Sequence, residues 1–576
     1  MLSFRDLRLL QKKNSDTNLP TIKVAIVGDS ATQFLAIALK GCAIEKGYAL
    51  DLYEADYAQI ELQMLNPQSE LHLFAPEFII VFHSSQKLLE KYWRMDTNHK
   101  SSLADDRIGL VDQFCESTHA QIIYFNYPLI DDGVFGSYSS NVYHSFPCQL
   151  RLLNTKLIEC CQRHKNLHIC DLDSLQQING RKWLFDSSIY TNSEMVLSID
   201  ALPYVASRCM DVIMSLKGKI KKCIILDLDN TLWGGIIGDD GLDKIQLGHG
   251  LGIGKCFTNL QLWIRQLELR GIIVCVCSKN DETIARLPFE KHPDMILKLD
   301  DIAVFIANWD NKADNIRHIQ EILNIGFDSM VFIDDNPFER NLVRENVPEV
   351  TVPELPEDPS DYLEYLMSLN LFETASYNES DEKRNEQYRI EAQRTSYARS
   401  FTDEAHFLQN LGMISKVENL TQYNIPRVSQ LSQRSNQFNL RTVRYSESDL
   451  LHISQDDSYK GMVFYLKDKF GDNGLIAAVI LHQEGIDTFF VENFFMSCRV
   501  LKRGMEYFIL NEIVCQVREL GCRKLVGEYI PTQKNKLVEN LFNELGFIQL
   551  TDAQQLLYEL PIDGYENRIT YVQKSM

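Results

Sequence analysis

Nowhere in the 576 residues do two cysteines stand as C-x-x-C, and none of the 14 cysteines falls between Cys277 and Cys498. Zinc ribbons and disulfide scaffolds need framework spacings of that kind, so neither is expected. The cysteines sit instead in apolar stretches, as around Cys223, Cys275, Cys277 and Cys515, and read as buried free thiols. No apolar run approaches the roughly 18–20 residues that span a bilayer; the strongest, Gly271 to Cys277, has strand length. The opening Met1-Leu-Ser-Phe-Arg-Asp-Leu-Arg8 carries charges where a signal peptide has its apolar region, so a cytoplasmic protein with no membrane partner is expected. Positive charge is short as well. Against 79 Asp and Glu stand 58 Lys and Arg, a formal net charge of −21. Non-specific nucleic-acid binding draws on cations that displace phosphate counterions, and this balance excludes it. With 45% hydrophobic and 24% charged residues the chain is globular. At roughly 100–200 residues per domain, its length allows three or four domains.

The order of apolar runs divides the chain. Thr21-Ile-Lys-Val-Ala-Ile-Val-Gly-Asp-Ser30 reads as a buried strand ending in a tight turn, and Phe78–Phe82 and Gln121–Phe125 follow, separated by helix-period segments. That alternation predicts a parallel sheet with covering helices over residues 1–215. It resumes with Lys222–Asp227, Ile272–Cys277 and Met330–Ile333, predicting a second α/β domain at 220–352. Pro353, Pro356 and Pro359 among Glu354, Glu357 and Asp358 resist helix and central strand, so 353–400 reads as a linker, with a polar helical segment from Asp381 to about Arg399. Residues 401–576 hold strand-like runs at Gly461–Leu466, Leu475–Leu481 and Thr488–Val491 and an amphipathic helix after Gly504.

Ile224-Ile-Leu-Asp-Leu-Asp-Asn-Thr-Leu232 empties a strand into D-x-D, which places Asp227 and Asp229 where open α/β sheets bind ligands. The pattern alone is weak: Asp171-Leu-Asp173 copies it and reads as structural. What strengthens the second copy is the order of further stations, Cys277-Ser-Lys-Asn280, Asn311-Lys-Ala-Asp314 and Ile333-Asp-Asp-Asn-Pro337. Together they resemble the haloacid-dehalogenase (HAD) phosphatase and phosphotransferase superfamily. The fuller stretches Asp227–Gly241, Cys277–Asp281, Asn308-Trp309 and Phe332–Arg340 resemble its FkbH-like (HAD-IIIC) branch, which includes phosphatase-like proteins and enzymes that load a phosphoglyceryl unit onto a carrier-protein thiol.

The resemblance implies Asp227 as nucleophile forming an aspartyl-phosphate and Asp229 as general acid and base. Ser278, Lys279, Asn280 and Lys312 would hold the phosphoryl oxygens, and Asp227, Asp229, Asp334 and Asp335 would ligate Mg²⁺. The intervals from Asp227 to Ser278 and from Ser278 to Lys312 are too short for a large cap domain, so the expectation is an open site that takes a phosphoryl group presented by a large partner, such as an acyl carrier protein, or one closed by the chain's own flanking domains. For acyl loading, Cys277 is the best-placed thiol, with a core role beside Cys275 as its plain alternative and Cys256 a weaker candidate; with no thiol used, the enzyme is a plain phosphatase.

Gly28-Asp29-Ser30 resembles the nucleophile block of SGNH hydrolases, but no histidine stands between His168 and His249 to complete a triad. The first domain is therefore expected to be non-catalytic unless a distant His83 or His144 serves Ser30. Residues 401–576 resemble GNAT acyltransferases. Arg499-Val-Leu-Lys-Arg-Gly504 parallels their pyrophosphate loop, with Lys502 in place of a glycine, so Arg499, Lys502, Arg503 and Gly504 are candidates for acyl-CoA or phosphopantetheine. Arg434, Arg441 and Arg444 are candidates for an anionic partner, or else a solvated face.

The expected fold is thus α/β with an SGNH-like domain, a Rossmann-like HAD domain without a large cap and an α+β GNAT-like domain. The expected function is a Mg²⁺-dependent phosphatase or phosphotransferase acting on a phosphorylated small acyl or sugar-like group. The alternatives are carrier-protein acyl loading with dephosphorylation and CoA-dependent N-acyl transfer.

Overall fold

The computed structural model describes residues 2–13, 19–56, 58–250, 252–377, 384–398, 401, 403–485, 487–532, 534–550 and 556–575. Asp381 and Arg399, the expected ends of the polar helix, lie outside them. Two compact units divide the chain, residues 1–216 and 217–576. Among the described residues no helix is long and apolar enough to cross a membrane.

In the first unit, strands β1 (Thr21–Gly28), β2 (Ala49–Glu54), β3 (Phe78–Phe82), β4 (Gln121–Phe125) and β5 (Leu167–Cys170) form one parallel sheet in the order β2-β1-β3-β4-β5. The inner strands are apolar almost without a break because helices cover both faces, and β3 is buried at every position. The strand order reverses between β1 and β3, and Asp29, Ser30, His83 and Ser84 follow those two strands at the crevice where such sheets bind ligands.

The second unit carries two sheets. Strands β6 (Cys223–Leu226), β7 (Ile273–Ser278), β8 (Val304–Ala307) and β9 (Met330–Ile333) are parallel, in the order β8-β7-β6-β9. The reversal falls between β6 and β9, with β7 on the other side of β6. Ile224 and Leu226 face one core with Val274 and Val276, while Cys223, Ile225, Cys275 and Cys277 face the other. The proline-rich segment read as a linker packs onto the first of these cores: Leu355, Tyr362, Leu366 and Phe372 are buried there, the middle two one turn apart on the helix Tyr362–Ser368.

The last sheet is mixed. It comprises β10 (Ile414–Asn419), β11 (Tyr459–Asp468), β12 (Gly471–Gln483), β13 (Thr488–Met496), β14 (Lys524–Tyr529), β15 (Ile548–Gln549), β16 (Leu556–Pro561) and β17 (Gln573–Lys574), in the order β15-β16-β14-β13-β12-β11-β10-β17. With its flanking helices it gives the α+β part of the fold. Strands β13 and β14 pair in parallel only from Thr488–Val491 against Lys524–Gly527. Beyond that point the chain's own Phe438–Leu440 lies between them: the Leu440 N–H donates to Phe494 (3.1 Å), the Met496 N–H to Phe438 (3.1 Å) and the Ile530 N–H to Leu440 (3.0 Å).

Candidate active site

The carboxylates gather at the C-terminal end of the β6–β9 sheet. As β6 ends, the Asp227 N–H still bonds the Ile333 carbonyl at 2.9 Å, and the chain then turns sharply through Asn230 at φ 54°. The Asn230 side chain accepts the Gly235 N–H at 3.0 Å and so fastens that turn. This places Asp227 beside Asp334 and Asp335, which follow β9, and beside Lys312, the first residue of the helix Lys312–Leu323.

Lys312 is buried and its ammonium meets both central carboxylates, Asp334 Oδ2 at 2.6 Å and Asp227 Oδ1 at 2.9 Å. Only the first contact is aligned as a hydrogen bond; Asp227 Oδ1 is buried and accepts none. Burial pushes the Asp334 carboxyl up to about 7, with the neighbouring Asp227 adding to the rise and Lys312 opposing it. Burial and then Asp227 raise Asp335 in the same way. For Lys312 burial pulls downward, but Asp227 and Asp334 outweigh it and the ammonium is held well above its ordinary range.

One oxygen from each of Asp227, Asp334 and Asp335 lies within 4.8 Å of the others. A buried carboxylate oxygen without a hydrogen bond, set among two more carboxylates, is the donor set of a hard divalent cation such as Mg²⁺. The residues present therefore fit that ion.

Asp229 is held separately. Its Oδ1 accepts from Trp233 Nε1 and from the Ile237 N–H, both at 2.9 Å, and its Oδ2 accepts from Asn280 Nδ2 at 3.1 Å. Burial raises its pKa, the Ile237 and Trp233 donors counteract this, and Asp227 raises it further. Ser278 is buried at the end of β7. Lys279 and Asn280, read in the sequence as phosphate holders, are otherwise engaged: Lys279 pairs with Glu339 at 2.7 Å, and Asn280 is the third donor to Asp229. Two residues to which the sequence reading gave no role complete the frame. Arg340 donates to the carbonyls of Asp334 (2.9 Å) and Asp335 (2.6 Å), and Thr231 Oγ1 accepts the Asp335 N–H at 3.2 Å. The sequence signals for Arg340 were its place at the end of the stretch Phe332–Arg340 and in the first turns of the helix Pro337–Asn346 that follows the Asp pair.

Between Asp227 and Ser278 the chain adds a tied loop with the short helix Ile237–Asp240, bridged from Gly234 to Gln246, and then the helix Gly254–Leu269. From Ser278 to Lys312 it adds the helix Glu282–Lys291 and β8. Neither interval holds a further domain among the described residues. Four large apolar side chains stand out on segments that follow the four strand ends: Ile236 (44% exposed), Ile284 (36%), Trp309 (75%) and Phe338 (67%).

The remaining candidates lie apart from these carboxylates or inside the core. Cys277 is completely buried on the face of β7 that the Lys312 helix covers, its thiol 3.8 Å from the Lys312 carbonyl, and burial drives that thiol well above the ordinary range, away from the thiolate that acyl transfer uses. Cys256 is half-buried in the helix Gly254–Leu269. In the C-terminal loop, Arg499 and Arg503 are turned inward. Arg499 bonds Gln387, and Arg503 pairs with Glu391 and with Asp468. Lys502 is exposed with φ 61°, and Gly504 begins the helix Met505–Glu519 at φ 71°. Arg441 pairs with Glu492 (2.7 Å) and Glu528 (2.8 Å), Arg434 donates to the Ser376 carbonyl and Arg444 to Ser435, so all three are engaged within the chain. In the first unit Ser30 is buried, and among the described residues no histidine hydrogen-bonds to it. His83 is held instead by Arg107 at Nε2 (2.9 Å) and Tyr124 at Nδ1 (2.8 Å), and burial keeps it neutral.

Comparison with known proteins gives three findings. The FkbH N-terminal domain family matches residues 23–214. The crystal structure of the N-terminal part of BF1531 from Bacteroides fragilis, which contains a phosphatase domain and is complexed with Mg, is 55% identical; it covers 65% of this chain and 100% of its own, with a TM-score of 0.64. The ribosomal-protein-S18-alanine N-acetyltransferase of Escherichia coli (19% identity, 26% of this chain and 94% of its own, TM-score 0.21) and the GNAT domain of S. lividans PAT (20%, 25%, 89%, 0.21) are also similar. No curated protein sequence matches the chain.

Proposed function

This chain belongs to one family with BF1531, and from that premise we propose that it is a Mg²⁺-dependent phosphatase or phosphotransferase of the HAD type. The observation that carries the reading is the buried, unbonded Asp227 Oδ1 facing Lys312 among Asp334 and Asp335 at the strand-order reversal. A carboxylate oxygen kept free of hydrogen bonds while its charge is offset is available to a metal or to phosphorus.

In this reading Asp227 attacks the phosphorus, a P–O bond to Asp227 forms, and the P–O bond to the leaving group breaks. Asp229 supplies the proton that the leaving oxygen takes up. Burial raises its pKa, the direction that favours a general acid. Asp229 then takes a proton from water, whose oxygen attacks the aspartyl-phosphate and frees inorganic phosphate and Asp227. Lys312 and Ser278 hold the phosphoryl oxygens as negative charge spreads over them. Mg²⁺ held by Asp227, Asp334 and Asp335, with the Asp229 carbonyl, would add the positive charge that lets a phosphate approach so many carboxylates.

The lack of a further domain in either interval among the described residues and the exposed Ile236, Ile284, Trp309 and Phe338 favour a phosphoryl group presented by a large partner, of which an acyl carrier protein is the candidate. Direct acyl transfer to Cys277 is disfavoured by its burial. CoA-dependent acyl transfer is disfavoured by the loop read for it, since Arg499 and Arg503 are buried and engaged with Gln387, Glu391 and Asp468.

Asp227→Asn is expected to abolish Mg²⁺-dependent release of phosphate from p-nitrophenyl phosphate or phosphoglycerate while the circular dichroism spectrum stays unchanged. Undiminished turnover in that variant would end the proposal.

A further inference from the structure

Remote in sequence from the phosphatase centre, in the first unit, the helices Leu103–Ser117 and Phe146–Arg163 pack side by side. Asp105 pairs with Lys156 and Asp112 with Arg163, so the two helices run in the same direction. Their C-terminal ends therefore meet, and the negative ends of two helix dipoles add at one place. Four metal-ligand side chains stand there. Asp112 and Cys115 are three residues apart on one face of the first helix, while Cys160 lies in the last turn of the second and His164 is the residue that caps it.

The atoms converge on a single point. Asp112 Oδ1 lies 3.2 Å from Cys160 Sγ and 2.8 Å from His164 Nε2, and these three atoms are all within 4.8 Å of one another. The Cys115 thiol adjoins that of Cys160 and stands outside this group of three atoms. Both thiols are buried and free, whereas Asp112 and His164 are partly exposed and leave an entry route. Arg163 Nη2 also meets Asp112, at 2.8 Å from Oδ1 and 3.1 Å from Oδ2. An ion pair with Arg163 would by itself account for a satisfied Asp112; it requires neither a buried thiol nor an imidazole on the same oxygen.

We infer that Asp112, Cys160 and His164 form a site for a zinc ion that ties the two helix ends together, with Cys115 turning in from beside Cys160 as the fourth ligand when the metal binds. Zinc takes sulfur at about 2.3 Å and nitrogen or oxygen at about 2.0–2.2 Å, tetrahedrally, so its ligand atoms stand roughly 3.2–3.8 Å apart. The two separations at Asp112 Oδ1, 3.2 Å to Cys160 Sγ and 2.8 Å to His164 Nε2, are shorter than the tetrahedral spacings for those atom pairs by about 0.4–0.5 Å, so the ligands would part slightly to admit the ion. On binding, both thiols release their protons to solvent, neutral His164 offers the Nε2 lone pair, and Asp112 offers Oδ1 while Arg163 keeps Oδ2. Two thiolates, one carboxylate, Arg163 and the dication sum to zero charge. Four protein ligands leave no open position, so the site is structural.

The test uses the full chain. Purified without chelators, it is expected to hold one zinc per chain by elemental analysis. After chelation and addition of Co²⁺, it should show a sulfur-to-cobalt charge-transfer band and tetrahedral d–d bands. Cys160→Ser and His164→Gln should each reduce zinc to background and remove those bands while phosphate release persists. His164 is partly exposed, so its variant keeps the test open if the buried serine impairs folding. Background zinc in the unaltered chain together with absent cobalt bands would overturn the inference. So would full zinc content in both variants, or a Cys115–Cys160 disulfide in protein isolated with its thiols alkylated.

Discussion

Replacing Asp334 by asparagine is expected to stabilise the metal-free chain while destroying metal binding and turnover. Asp334 is fully buried beside Asp227, and its pKa is raised from the ordinary 3.8 to about 7. Between those values the folded chain keeps the proton and the unfolded chain has released it. The contribution of this group is therefore most favourable below about pH 4 and declines as pH rises to about 7, where the carboxylate is finally forced to ionise in place. At about 1.4 kcal/mol per pH unit, that interval corresponds to about 4 kcal/mol, present in full above pH 7. Asparagine has nearly the same shape and carries no charge; with its amide oxygen turned to accept from Lys312 it gives up only the bond from the Asn336 N–H, which sets the gain below the full figure. Calorimetric unfolding after chelation should show the variant more stable than the unaltered chain at pH 8, by up to about 4 kcal/mol, with the gap closing toward pH 4. Added Mg²⁺ should stabilise only the unaltered chain at pH 8. A variant less stable at pH 8, or an advantage independent of pH, would refute the reasoning.

Asn280→Ala removes one of three donors to Asp229 and is expected to lower kcat by about 10–100-fold, a usual cost of losing a side chain that orients a reacting group. KM should change little in steady-state assays, and an unchanged kcat would deny Asn280 that role. Trp309→Ala with Phe338→Ala should raise KM for a phosphorylated group borne on a carrier protein and leave p-nitrophenyl phosphate hydrolysis alone; equal effects on both would remove the docking argument. Acetyl-CoA is expected to give no saturable heat in titration calorimetry, and tight binding would restore the acyltransferase reading.

The centre was legible because its stations are local: each apolar run ends in the residue type that phosphoryl transfer uses, at Asp227, Ser278 and Asp334. What the sequence could not reveal was direction. Asn280 and Lys279 follow β7 as phosphate ligands would, yet partners distant in the chain, Asp229 and Glu339, fix where their side chains point. The prolines after 352 marked a break in regular structure correctly, but the one-turn spacing of Tyr362 and Leu366 was the better guide to their burial against the sheet. The insertion of Phe438–Leu440 between strands that begin 50 and 86 residues further on left no local trace, since it rests on backbone pairing alone. The cysteine count argued against a ribbon of closely spaced thiols and was silent on ligands brought together by two helices.

That inserted segment acts as a ligand already covalently attached. A pantetheine-like arm seeking the gap between β13 and β14 would first have to expel three backbone hydrogen bonds, at about 1 kcal/mol each. The resulting 3 kcal/mol or so would weaken its apparent affinity by about 100-fold. Tethered, the segment also competes at a high effective concentration that no cellular metabolite pool can readily exceed. The C-terminal sheet is thereby made a continuous, self-saturated slab, better suited to bracing its neighbour within the second unit than to exchanging small molecules with solvent.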